Sequence, residues 1–189
     1  MRHLYLVRHA SPAIQPNVPA EQWTLSERGI EEARALTRIA LAWGLAAVYS
    51  SVEPKAQSTA LIIADAIGQP VRVVEGFQEL RFDRWIPNAD EFAAMIRGIF
   101  RQPSASVHGA ERADAAAARF DAAVRIVEEG PFPAAIVSHG RVITAYLSQI
   151  LELDEPFDLW RSIPMPGWAC FDLDASKLIA PFQGLPEGE

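Results

Sequence analysis

Two histidines stand directly after apolar runs of the sequence, and one of them has an arginine beside it. Arg8 and His9 follow the apolar run 4–7, and His139 follows the apolar run 134–137. An imidazole nitrogen can attack phosphorus and be displaced again, which gives a two-step route for phosphoryl transfer. A guanidinium presents a rigid fork of donors to phosphoryl oxygens. These residue types therefore suit phosphoryl transfer through a histidine.

Two further residues with suitable chemistry follow other apolar runs. Lys55 comes one helical turn after the run 46–49, and Glu79 follows shortly after the run 71–74. A lysine adds a positive charge for an anionic group, while a carboxylic acid can protonate a departing alkoxide and later deprotonate an attacking water. Two histidines, one carboxylic acid and two cations together match the needs of a phosphohydrolase site.

The apolar runs predict the strands that position these residues, because they are short and continuously apolar, as in strands buried on both faces. The predicted strands are 4–7, 46–49, 71–74, 134–137 and 168–173. The predicted helices between them are at about 27–43, 54–67, 90–100, 111–129 and 140–153. This alternation predicts an α/β fold, a three-layer α/β/α sandwich with a mainly parallel sheet. We expect the tail 181–189 to be frayed.

In a parallel sheet of this kind, ligands bind beyond the carboxyl ends of the strands. The residues with suitable chemistry all follow predicted strands, at the ends that such a sheet brings to one edge. Because the strand ends selected most of them without regard to their type, their shared chemistry predicts one site at that edge.

Composition and charge narrow the classes of function. The 189 residues suit one domain, 1–189, with a small insertion at about 80–110. A formal charge of -7 argues against a general affinity for nucleic acid or anionic membranes. Cys170 is the only cysteine and lies in an apolar run, so we expect a buried thiol and no disulfide or thiolate metal site. We also expect no membrane span, no leader segment and a cytoplasmic location.

Several short motifs, in order along nearly the whole chain, resemble those of the histidine phosphatase superfamily, also called phosphoglycerate mutase-like. Leu-Val-Arg-His-Ala at 6–10 resembles its signature, and Val-Ser-His-Gly at 137–140 resembles its second histidine motif. The segments 25–29, 50–60 and 77–79 resemble the segments before its first helix, around its second cation and at its acid-base glutamate.

The resemblance implies a role for each matching residue. It makes His9 the phosphorylated nucleophile and Glu79 the proton donor, while Arg8 and His139 bind the phosphoryl group. It also implies a phosphoglycerate mutase-like fold, a phosphoric monoester hydrolase of the histidine acid phosphatase-like kind, and no metal or cofactor. The further residues expected at the phosphate are Lys55, Gly140 and Arg141.

Lys55 departs from the family pattern, which has an arginine there. A lysine keeps the charge but loses the bidentate fork, so the change either weakens phosphate binding or is compensated elsewhere. Arg141, directly after Gly140, is placed to supply the fork, although it could equally be a solvated residue in the first turn of a helix. Of these two hypotheses for Lys55, we favour compensation by Arg141.

The stretch after the third predicted strand leaves other assignments open. Glu75 and Asp83 are alternatives to Glu79 as the acid. Arg81 and Arg84 either reach the leaving group of the substrate or are solvated.

The sequence also predicts positions for Trp85 and Glu111. Trp85 could line the pocket, and Glu111 is expected at the N-terminus of the helix 111–129, where the helix dipole favours a carboxylate.

Three other functions share parts of this pattern. A phosphoglycerate mutase would use the same histidine chemistry, but the chain and its insertion are short for such an enzyme, so we favour hydrolysis of a small phosphomonoester. A metal enzyme could use two histidines and a carboxylate, although neighbouring cations would repel a divalent ion. A phosphate-binding protein without turnover is the third alternative. The sequence indicates neither the natural substrate nor the oligomeric state.

The sequence predicts metal-independent turnover that depends on His9. We expect the protein to hydrolyse phosphomonoesters in the presence of EDTA and the His9→Ala variant to lose at least a thousandfold in kcat/KM, the order of magnitude found on removing a nucleophile. A panel of phosphomonoesters assayed for released phosphate, with and without EDTA, measures both effects. Activity that EDTA abolishes would favour the metal enzyme instead.

Overall fold

The computed structural model describes residues 1–82 and 84–186. Its six-stranded sheet has the order β3-β2-β4-β1-β5-β6. The strands are β1 (His3–Arg8), β2 (Ala47–Ser50), β3 (Val71–Val73), β4 (Ala134–Ser138), β5 (Gly167–Asp172) and β6 (Lys177–Gly184). The helices are α1 (Glu27–Ala40), α2 (Pro54–Ile67), α3 (Ala89–Arg101), α4 (Ala113–Glu128), α5 (Gly140–Ile150) and α6 (Pro156–Ser162).

The central pairing of the sheet is the parallel ladder between β1 and β4. Its register places Leu4 opposite Ala134 and Arg8 opposite Ser138. β2 continues the parallel part on the other side of β4, and β3 follows it. Because both strands of the central ladder run in one direction, the residues that follow them, His9 and His139, emerge side by side at one edge of the sheet.

Helices cover both faces of the sheet. On one face, apolar residues of α1 and α2 pack against side chains of β1, β2 and β4 such as Val7, Val48 and Val137. On the other face, α3, α4 and α5 pack against Leu6 and Ile136 from the same strands. The predicted α/β sandwich around a mainly parallel sheet is therefore confirmed.

Local signals in the sequence mark several helix boundaries. The Ser26 hydroxyl accepts a hydrogen bond from the Gly29 backbone N–H at 3.0 Å and caps α1. Pro54 occupies the first turn of α2, where its missing N–H costs nothing. Gly68 ends α2 with a φ of 66°, a left-handed conformation that favours glycine.

Three sequence-based predictions about the fold were wrong. Residues 181–184 belong to β6, which pairs antiparallel with β5, whereas we expected a frayed tail; the end of that tail, 187–189, lies outside the described residues. The short helix α6 was not predicted at all. Glu111 precedes α4, which begins at Ala113, so it is not part of that helix.

The remaining helix and strand predictions agree with the structure to within a few residues, and Cys170 is buried as expected. In the part of the chain that the structure describes, no helix combines the length and apolar character that a membrane crossing requires.

Candidate active site

A cavity of about 540 Å³ opens at the carboxyl ends of β1, β2 and β4. Its charged and titratable lining near the strand ends, called the floor below, consists of Arg8, His9, Glu53, Lys55, Glu79 and Arg141. Five of these six residues were predicted as site residues from the sequence. Glu53 is the exception.

His9 presents one ring nitrogen to the cavity in its basic form. Its Nδ1 lies 2.7 Å from the Ala10 carbonyl oxygen, which can only accept, so Nδ1 carries the proton and the lone pair is on Nε2. Burial, together with the charges of Lys55 and Arg8, lowers the pKa of His9 to about 3. The imidazole is therefore neutral at physiological pH, as a nucleophile must be.

His139 lies beside His9, with ring centroids 5.0 Å apart, but it is fully buried and does not itself line the cavity. Its Nε2 is 2.9 Å from the Ser51 hydroxyl, which also accepts the Glu53 backbone N–H at 3.2 Å. When the hydroxyl donates its hydrogen to Nε2, the imidazole proton is on Nδ1. Burial, with the charges around it, lowers the pKa of His139 well below its usual value.

Arg8 extends from the end of β1 into a narrow space beside α5. Its Nη1 donates to the Ile163 carbonyl at 2.6 Å, while its Nε is buried without a partner among the described residues. A Cβ at Gly140 would come within 3.2 Å of that Nε, so glycine leaves room for the guanidinium. Gly140 therefore supports Arg8 rather than lining the cavity. Burial, above all, lowers the pKa of Arg8.

Glu79 is an ionised carboxylate in this structure. Its Oε1 accepts the backbone N–H groups of Leu80 and Val142, each at 2.9 Å, and its Oε2 lies 3.2 Å from Arg141 Nε. Burial alone would raise the pKa of Glu79, but the Arg141 guanidinium and the backbone donors outweigh it and hold the pKa below its ordinary value. Glu79 is thus in its base form, and a shift of Arg141 away from it would raise its pKa and favour the protonated form.

The backbone around Glu79 is held by an arginine of α4. Arg119 donates to the carbonyl oxygens of Gly76, Gln78 and Glu79 at 2.7, 2.8 and 3.0 Å. Glu111 in turn accepts two bonds from the same guanidinium, both at 2.8 Å. The predicted role of Glu111 as a helix-terminal carboxylate is therefore wrong, because it fixes the residue that positions Glu79.

Lys55 is buried, and its charge is paired. Its ammonium group contacts the Glu53 carboxylate and donates to the Ala20 carbonyl at 2.6 Å. Glu53 also accepts the Glu79 backbone N–H at 2.6 Å and lies 3.5 Å from His139 Nε2. Burial raises the pKa of Glu53, although the Lys55 ammonium opposes that shift. The only sequence signal for Glu53 was an acid two residues before the unusual lysine.

The two motifs flanking the site anchor the loop after His9. The Ala10 backbone N–H donates to the Thr59 hydroxyl at 3.2 Å, and the Ser26 hydroxyl donates to the Ser11 carbonyl at 3.0 Å. A Cβ at Gly29 would lie only 2.0 Å from that carbonyl oxygen. Residues of the motifs 25–29 and 50–60 therefore fix the backbone just after His9.

The structure also places the residues whose roles were left open. Arg141 is not a solvated residue, since its side chain is 14% exposed and paired with Glu79. Arg81 lines the cavity, whereas Glu75 and Arg84 are exposed and do not. Asp83 lies outside the described residues. Trp85 does not line the cavity but packs edge-on against Trp23, which does.

Within residues 1–82 and 84–186, no three or more histidine, cysteine, aspartate or glutamate side chains are grouped so that they could hold a metal ion.

The comparison with known families assigns the chain to a class. The family model of the histidine phosphatase superfamily, branch 1, matches residues 4–175, so the chain belongs to that superfamily. A search of curated proteins finds no match.

Solved structures of low sequence identity share the fold. The mycobacterial glucosyl-3-phosphoglycerate phosphatase is 22% identical, with a TM-score of 0.75 over 97% of this chain and 98% of that one. YhfR from Bacillus stearothermophilus is also 22% identical, with a TM-score of 0.75 over 99% and 98%. A mutant phosphoserine phosphatase from Entamoeba histolytica is 20% identical, with a TM-score of 0.71 over 95% of each chain.

The buried pair of Glu53 and Lys55 generates a stability prediction. Glu53→Ala leaves a buried ammonium group without its counter-ion, so we expect the free energy of unfolding at pH 7 to fall by ~3 kcal/mol. The double variant Glu53→Leu/Lys55→Met removes both charges and should regain most of that loss. Urea unfolding measures both, with Glu129→Ala, an exposed acid, as the control. A double variant as unstable as Glu53→Ala would show that the charge pairing is not the cause.

Proposed function

We propose that the protein is a phosphomonoester hydrolase that works through a phosphohistidine intermediate on His9. The observation that carries this proposal is a set of buried polar atoms. Among the described residues, four buried side-chain nitrogen or oxygen atoms have no hydrogen-bond partner, and three of them belong to Arg8, His139 and Arg141. Buried groups of this kind are rarely left unpaired without a reason.

A phosphoryl group suits the chemistry of all three atoms. Arg8 Nε and Arg141 Nη1 are cationic donors, and the Nδ1–H of His139 is a neutral one, so each suits an anionic oxygen. Arg141 approaches the same place as Arg8 from the first turn of α5, which supports the hypothesis that it compensates for the lysine at position 55. Lys55, being paired with Glu53, contributes less charge than a free ammonium would.

The proposed reaction has two steps, and Glu79 serves in both. His9 Nε2 attacks phosphorus while the bond from phosphorus to the ester oxygen breaks, and Glu79 gives that oxygen its proton. Water then transfers a proton to Glu79 as its oxygen attacks phosphorus, and the bond to His9 breaks to release phosphate. The bound anion draws the Arg141 guanidinium towards itself, which weakens its hold on Glu79 and raises the pKa of that carboxyl enough to carry the first proton.

Hydrolysis is favoured over a mutase reaction by the short chain. Related structures support small phosphorylated substrates: the mycobacterial glucosyl-3-phosphoglycerate phosphatase was solved with inorganic phosphate, and the Entamoeba histolytica phosphoserine phosphatase with 3-phosphoglyceric acid. At 20–21% identity these neighbours share the fold, and the choice of substrate in this chain depends on its own cavity.

The nucleophile can be identified by trapping. Brief incubation with ³²P-labelled substrate and an alkaline quench should leave acid-labile label on His9, because a phosphoramidate is stable to base and cleaved by acid. Peptide mapping locates the label, and His9→Ala should abolish it. Label on a serine or on His139 would contradict the assignment.

The role of Glu79 predicts a dependence on the leaving group. Glu79→Gln should slow hydrolysis of an alkyl phosphate by about a hundredfold or more, the range of general acid catalysis, and that of p-nitrophenyl phosphate far less, because p-nitrophenolate needs little protonation. The ratio of kcat/KM for the two substrates measures the effect. Glu75→Gln, a change to an exposed acid nearby, is the control. Equal losses on both substrates would point to a binding or structural role instead.

A further inference from the structure

The cavity above the floor is lined mainly by apolar side chains. This apolar wall draws on separate parts of the chain: the loop after β1, the start of α2, the segment after β3, α3, α6 and the turn before β5. Its larger members are Ile14, Trp23, Val52, Leu80, Phe82, Phe92, Trp160 and Met165. Because its side chains come from so many elements, the shape of this surface depends on the tertiary fold and not on the conformation of one loop.

Two members of the apolar wall are exposed to an extent that folding does not explain. Ile14 is 59% exposed and Val52 38% exposed, and both line the cavity. Other members are held by aromatic contacts, since the rings of Phe92 and Trp160 meet edge-on at 6.0 Å. Exposed apolar side chains around a concave site are typical of ligand-binding surfaces.

The polar groups of the cavity are concentrated on the floor. Away from it, the charged lining residues in the described part of the chain are Glu21 and Arg81. The Arg81 guanidinium lies 4.0 Å from Glu111, so it already has an acidic neighbour. A second anionic group on the substrate, such as a carboxylate, would gain one solvated cation there, Arg81, whose side chain is 75% exposed, and would otherwise meet Glu21 and the apolar wall.

We propose that the substrate is a phosphomonoester of a bulky apolar alcohol, alkyl or aryl, whose leaving group packs on the apolar wall. This inference rests on the proposed function for the placement of the phosphoryl group on the floor. A phosphoryl group occupies only a small part of about 540 Å³, and the remaining space suits an alcohol of six carbons or more. Phe92 and Trp160 are the specificity-determining residues.

Binding of alkylphosphonates tests the inference without requiring turnover. Isothermal titration calorimetry of the full chain with ethyl-, butyl- and hexylphosphonate should show affinity rising about tenfold for each two added methylenes, as expected for largely buried CH₂ groups. A further arm with 3-phenylpropylphosphonate distinguishes an aryl from an alkyl preference. 3-Phosphonopropanoate, which carries a carboxylate, should bind more weakly than ethylphosphonate. Equal affinities along the alkyl series, or tightest binding of the carboxylate, would overturn the inference.

Variants of the apolar wall test whether Phe92 and Trp160 cause the preference for longer alkylphosphonates. Phe92→Ala should reduce the preference for hexylphosphonate over ethylphosphonate by about tenfold, and Trp160→Ala should do the same. The matched control is Phe182→Ala, which truncates a partly buried phenylalanine in β6 that does not line the cavity and should leave the preference unchanged. The Phe92 ring lies 5.8 Å from the Arg141 guanidinium, so Phe92→Ala also changes the surroundings of the floor. Trp160→Ala therefore tests the apolar wall at a second position.

Parallel assays of hexyl phosphate hydrolysis separate this inference from the proposed function. Affinity that rises with chain length, without turnover of any phosphate ester, would refute the hydrolase and leave the apolar preference standing. Turnover that depends on His9, combined with equal affinities along the alkylphosphonate series, would support the hydrolase and refute the apolar preference. An unchanged preference in both Phe92→Ala and Trp160→Ala would also overturn the inference.

Discussion

The parallel pairing of β1 with β4 is the constraint on which the site depends. Its register sets Arg8 opposite Ser138, so the two following histidines are brought to the same edge with rings 5.0 Å apart. An antiparallel arrangement would send the two strand ends to opposite edges of the sheet. The connections from β1 to β2, from β2 to β3 and from β3 to β4 each pass through at least one helix, which is the kind of crossover that parallel strands need.

Burial then sets the chemistry of each group that this pairing brings together. It keeps both histidines neutral, which gives His9 a basic nitrogen, and it makes unpaired donors of Arg8 and Arg141 costly until an anion binds. The same burial raises the pKa of Glu79, and the Arg141 guanidinium is the largest of the influences that lower it. The Arg141 guanidinium lies 3.2 Å from the Glu79 carboxylate and has one nitrogen without a partner among the described residues, so it can serve either that carboxylate or an added anion.

The floor and the apolar wall are built by different means. The floor uses residues that directly follow central strands, whose positions are fixed by the sheet. The wall uses loops and the helices α3 and α6, and α6 also precedes the Ile163 carbonyl that accepts a hydrogen bond from Arg8. The residues of the floor are thus positioned by the sheet, whereas the apolar wall lies on segments that connect the strands, which vary more readily than the sheet itself.

The sequence by itself determined which reactive residues follow which strands, because buried strands are continuously apolar and the polar residue after each one is easily recognised. It also indicated the family and most of the floor. Tertiary structure alone decided three things: the pairing of Lys55 with Glu53, the ionised state of Glu79 beside Arg141, and the apolar wall. Each of these depends on distances between residues far apart in the chain or on burial from water, and neither quantity is expressed in local patterns of hydrophobicity or propensity.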